Sequence, residues 1–60
     1  MKLKVERNNG EKHTLEIFDY NSNSYCIDYS FQENGLRAIL AFSETNKIEV
    51  DGNIIFERGF

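Results

Sequence analysis

The chain has no proline, no tryptophan, one cysteine, one histidine and four glycines in 60 residues. A lone cysteine, Cys26, cannot close a disulfide within the chain, and it gives no sign of an oxidising compartment. Zinc normally takes four ligands, and Cys26 and His13 are the only soft ones, so neither a metal nor another cofactor is expected. The glycines, at positions 10, 35, 52 and 59, are isolated and make no phosphate-cradling loop. No linker-like stretch and no internal repeat is present.

Long apolar runs are missing as well. The longest, Ala38 to Phe42, falls far short of the ~18 residues a membrane span needs. The opening MKLKVERNN mixes charges with apolar residues and lacks the apolar block of a signal peptide. These absences point to a cytoplasmic protein without a membrane partner. The length allows one domain, residues 1–60. A chain this short buries only about 60% of its unfolded surface, which makes its stability marginal.

A basic face is the next absence. Net charge is −3. Lys2, Lys4, Arg7 and Lys12 gather near the N-terminus, but Glu6, Glu11 and Glu16 lie among them. From position 17 onward, Arg37, Lys47 and Arg58 stand against seven acidic residues. Phosphate attraction is therefore weak, and nucleic acid is disfavoured as a partner.

What is present is short-range alternation of apolar and polar residues. Clusters at Asn8–Gly10, Asn21–Ser24, Asn34–Gly35, Ser43–Asn46 and Asp51–Asn53 cut the chain into about six such segments. This pattern predicts an all-β fold: a small antiparallel meander of five to six strands, strongly twisted or curled into a small barrel. The alternative is a β-rich α+β fold with a short helix at about 36–43, because Leu36–Phe42 (LRAILAF) consists of good helix formers.

Charges register the first hairpin. A three-residue loop Asn8–Gly10, with Gly10 left-handed, sets Arg7 against Glu11, Glu6 against Lys12 and Lys2 against Glu16. The same register sets Leu3 against Leu15 and Met1 against Ile17. The central hairpin is expected to turn at Asn34–Gly35 in a type I′ turn. That register pairs Phe31 with Ala38, Tyr29 with Leu40 and Ile27 with Phe42 on a core face. In the last hairpin, a three-residue loop Asp51–Asn53 gathers Ile48, Val50, Ile54 and Phe56 on one face and pairs Lys47 with Glu57. A two-residue Asp51–Gly52 turn would instead pair Ile48 with Ile55.

Chemistry is thinly supplied. His13 is expected on the core side as a rim residue and Cys26 on the opposite face, so they make no nucleophile–base pair. Glu16 and Asp28, expected on one face of adjacent strands, read as solvated charges rather than an acid–base pair. The chain is therefore not expected to be an enzyme.

Surfaces offer more. Phe18, Cys26, Ile39 and Ala41 are expected on neighbouring strands of the non-core face, and Phe18, Tyr20 and Tyr25 flank the Asn21–Ser24 turn. A contiguous apolar group of this kind marks an interaction site, unless the sheet closes or Phe60 folds back over it. The expected function is that of a small interaction or regulatory protein, binding another protein or itself as a homodimer through Phe18, Tyr20, Tyr25, Cys26, Ile39 and Ala41. The alternative is a single-strand nucleic-acid binder that stacks bases on Phe18, Tyr20 and Tyr25.

Overall fold

The computed structural model describes residues 1–59. Seven short strands form two antiparallel sheets. They are β1 (Lys2–Arg7), β2 (Lys12–Glu16), β3 (Asp19–Ser22), β4 (Cys26–Ser30), β5 (Arg37–Ala41), β6 (Thr45–Val50) and β7 (Asn53–Glu57). The first sheet runs β2-β1-β6-β7 and the second β3-β4-β5. The all-β reading holds. The helix considered for 36–43 is absent: Arg37–Ala41 is strand, followed by a 3-10 turn at Phe42–Glu44.

The first hairpin follows its charges. Lys2 faces Glu16, Leu3 faces Leu15 and Glu6 faces Lys12, and Gly10 takes a φ of 88°. The Met1–Ile17 pair extends the ladder, each amine or amide donating to the other's carbonyl at 2.8 Å.

The central hairpin is a correction. Tyr29 faces Ala38 and Ile27 faces Leu40, two residues away from the expected register. Asn34 has a positive φ of 58°, but Gly35 does not, so the turn is not type I′. Gly35 N–H donates to Gln32 O at 3.0 Å, closing a Gln32–Gly35 turn with positive φ at its third residue, the type II arrangement. Phe31 thus lies in the loop, 58% exposed, rather than in the core.

The type I′ signature appears instead at Asp51 and Gly52, with φ of 51° and 83°. This two-residue turn pairs Val50 with Asn53 and Glu49 with Ile54. A bulge then shifts the register, so Ile48 faces Phe56 and Lys47 faces Glu57. Ile54 accordingly points away from the core and is exposed. A second bulge, in the β1–β6 ladder, leaves Asn46 unpaired between Thr45 and Lys47. The extra residue reverses the alternation, and Thr45 and Ile48 both turn inward.

Both sheets supply the core. Leu3, Val5, Ile48 and Val50 come from the first, and Ile27 from the second. Ile17 and Phe42, at the two passages between sheets, complete it. Phe42 stacks on Phe56 with ring centroids 4.4 Å apart. The corner at Phe42–Thr45 is tied from inside and outside. Thr45, fully buried, donates its hydroxyl to Phe42 O at 3.2 Å, and Arg58 Nη2 lies 3.1 Å from Phe42 O and 2.9 Å from Thr45 O.

Candidate functional site

The outward faces of the two sheets differ in character. On the first, cross-strand register makes a row Lys12–Glu6–Lys47–Glu57 in which charge alternates across all four strands. Lys47 Nζ lies 3.0 Å from Glu49 and 3.8 Å from Glu57. Its hydrogen bond to Glu49 holds the ammonium pKa above the usual lysine range. Each cation on this face has an anion beside it in register, so the face presents no net attraction to a charged ligand.

On the second sheet, Cys26, Asp28 and Ser30 of β4 share the outward face with Arg37, Ile39 and Ala41 of β5. Asp19 of β3 pairs with Ser30 on that face. Arg37 donates to Asp28 Oδ1 from Nε at 3.0 Å and Nη2 at 2.7 Å, and from Nη1 to Asp19 Oδ1 at 2.8 Å. The nearly buried Ser30 hydroxyl donates to the same Asp19 oxygen at 2.8 Å. The bonds from Ser30 and then Arg37 hold the Asp19 carboxyl below its ordinary pKa, and those to Asp28 and then Asp19 raise that of Arg37.

Beyond this polar cluster the face is apolar. Ile39 is 73% exposed, and the Cys26–Ala41 pair is partly buried beside it. Tyr25, next to Cys26, is 80% exposed. Its position is fixed by the β3–β4 turn, where Asn23 Oδ1 accepts from the N–H of both Tyr25 (2.7 Å) and Cys26 (3.0 Å). Phe18 sits at the passage into β3, half exposed, its N–H donating to Ser30 O at 2.7 Å. Tyr20 stands apart: it faces Tyr29 across the ladder and packs against the core. The structure therefore brings Cys26, Ile39 and Ala41 onto one face, sets Phe18 and Tyr25 at its margins, and directs Tyr20 inward.

Two exposed apolar residues escaped the sequence reading. Leu36, 94% exposed, and Phe31 both lie in the β4–β5 loop, and the Phe31 ring meets Tyr29 edge-on with centroids 5.6 Å apart. Of the large apolar side chains left exposed among the described residues, Phe18, Tyr25, Phe31, Leu36 and Ile39 belong to the second sheet or its bounding loops. Only Met1 and Ile54 belong to the first. The expected cover by Phe60 lies outside the described residues.

Other chemistry is sparse. His13 and Cys26 stand on different sheets, and His13 Nε2 lies 3.3 Å from Glu11. Glu16 and Asp28, expected on adjacent strands, are likewise on different sheets. Among the described residues no three His, Cys, Asp or Glu side chains converge as metal ligands would, and no helix is long and apolar enough to cross a membrane. Comparison with protein-family models, with curated proteins and with solved structures finds no match to this chain.

Proposed function

We propose that this chain is a small, non-catalytic binding protein that docks a protein on the outward face and edge of its three-stranded sheet. The observation that carries the reading is the unequal distribution of exposed apolar side chains, with Ile39 midway along the edge strand β5 on a face whose charges are already mutually engaged. Burying apolar area drives most protein association, and clustered exposed apolar residues mark where it occurs. The free thiol of Cys26 fits action in a reducing compartment such as the cytoplasm. Base stacking on Phe18 and Tyr25 has less support, because Arg37, the cation on the outward face of this sheet, is held by two aspartates and has little charge to offer a phosphate.

A photo-crosslinking side chain placed at Ile39 in growing cells tests the reading. It should yield a discrete adduct with one protein species, the chain itself included, while the same group at Lys4 on the first sheet yields none. Equal labelling at both positions, or an adduct that nuclease removes, would overturn it.

A further inference from the structure

The two sheets leave four edge strands, β2, β7, β3 and β5. Exposed edges invite pairing, and folded proteins guard them with charges, bulges or very short strands. Three of these edges carry such guards. Strand β2 (KHTLE) begins on Lys12 and ends on Glu16, β7 is bulged and ends on Glu57, and β3 has only four residues. Strand β5 (RAILA) has none: its one charge, Arg37, is folded back over β4 onto Asp28 and Asp19.

The polarity of β5 follows from one bond. Phe42 N–H donates to Tyr25 O at 2.8 Å, so even-numbered residues of this segment turn their backbone groups toward β4. Backbone direction alternates along a strand. The N–H groups of Arg37, Ile39 and Ala41 and the carbonyls of Arg37 and Ile39 therefore point away from β4 and have no partner among the described residues, while the Ala41 carbonyl accepts the first bond of the Phe42–Glu44 3-10 turn and keeps one lone pair free.

We infer that β5 pairs with β5 of a second copy, antiparallel about a two-fold axis at Ile39, joining two three-stranded sheets into one. This rests on the docking reading above and specifies its partner. In this register the outward groups of Ile39 bond their own counterparts, and those of Arg37 and Ala41 bond each other. The two Ile39 side chains meet as an apolar cross-strand pair, and each Arg37 faces an alanine, so no like charges are opposed. Two-fold, self-complementary contacts are the commonest way for identical chains to associate.

Three measurements test this together. Wild type should sediment at micromolar concentration with twice the 7.0 kDa mass of one chain. Ala41→Pro should return it to the single mass with its cooperative melt retained. Ala41 already has a φ of −75°, which proline adopts without strain, and the amide it removes points off the free edge. In a Cys26→Ser background, Ile39→Cys should give a disulfide-linked dimer on mild oxidation, since paired Cα atoms in this register lie about 5.5 Å apart. Ala41→Cys should not, because two copies of position 41 lie about 13 Å apart, four residues out of register.

Wild type at the single mass, a persistent Ala41→Pro dimer, or equal cross-linking at positions 39 and 41 would each overturn the pairing; the cysteine contrast stands even if Ala41→Pro fails to fold. A monomeric wild type whose Ile39 crosslinks a different protein would reject self-pairing and keep the docking reading. A monomer with no adduct at Ile39 would reject both.

Discussion

Arg37 and Asp19 lie on strands that do not touch, β5 and β3, yet Nη1 of one is 2.8 Å from Oδ1 of the other, across the full width of β4. The bond fastens the two outer strands of the sheet to each other. Asp19 is held in its charged form by Ser30 and Arg37, so its folded pKa is depressed. A depressed carboxylate contributes stability that is fully present above its unfolded pKa and is lost as pH falls through the folded one. Asp19→Asn should therefore lower the melting temperature at neutral pH, and the gap should close as the pH drops below about 4. Thermal melts of both proteins from neutral to strongly acid pH check this; a gap independent of pH would show that the charge is not what matters.

The turns make opposite demands on their glycines. Gly52 sits at φ 83° with open space around it, so an added Cβ meets only backbone strain. Gly52→Ala should cost roughly 1–2 kcal/mol in a denaturant melt. Gly35 has no positive φ, but an added Cβ would lie 2.6 Å from Gln32 Cγ and 3.0 Å from Gln32 O, so Gln32 must shift to admit it. Gly35→Ala should therefore destabilise through this contact, and Gln32→Ala in the same chain should recover part of the loss. A loss that Gln32→Ala leaves unchanged would contradict the Gln32–Gly35 turn.

Ile48 is fully buried, with Val5 on one flank and Phe56 on the other. Ile48→Val should cost about 0.5–1.5 kcal/mol and leave a folded protein, whereas Ile48→Ala should cost about 2–5 kcal/mol. The larger loss is comparable to the whole stability of so small a domain. Ile48→Ala should therefore lose its cooperative transition, measured by circular dichroism. A small loss would mean that the core is not built around this residue.

Much of this architecture is legible in the sequence wherever two independent signals agree. In the first hairpin, charge pairing and apolar pairing select one register, and a slip of one residue would break both. In the central hairpin no charge pairing backs the apolar alternation, and the Asn34–Gly35 turn signal points to a two-residue turn that does not form. Because the side-chain period is two, a shift of two residues leaves Ile27, Tyr29, Ala38 and Leu40 on the same face. Alternation therefore could not tell a two-residue turn from the longer loop, and Phe31 and Leu36 went unrecognised as exposed. In the last hairpin the Asp51–Gly52 turn and the Lys47–Glu57 pair imply different registers, and the bulge satisfies both. The division into two sheets left little trace. Its corners fall at Ile17–Phe18 and Phe42–Glu44, without glycine or proline, and the second is held by the adjoining Thr45 hydroxyl and by Arg58, which follows β7. Of the candidate surface, strand parity located Cys26, Ile39 and Ala41. Tyr20 packs against the core, a facing that depends on the turn from β2 into β3 and leaves no mark in the alternation.

The charge row on the first sheet predicts a salt-dependent penalty. Lys47→Glu would set an acid between Glu6 and Glu57 and beside Glu49. Each like-charged cross-strand neighbour should cost up to about 1 kcal/mol, and added salt should recover part of the loss. Melts at low and high ionic strength check both; a loss insensitive to salt would point to packing instead.

Amide hydrogen exchange at the free edge of β5 tests the central claim most directly. The N–H groups of Arg37, Ile39 and Ala41 have no partner within the described chain, whereas those of Ala38 and Leu40 face β4. In dilute solution the first three should exchange quickly and the other two slowly. Raising the protein concentration should slow Arg37, Ile39 and Ala41 together and leave the edges of β2 and β7 unchanged. Exchange at these three positions that stays fast at every concentration, or protection that appears on the first sheet instead, would contradict the account.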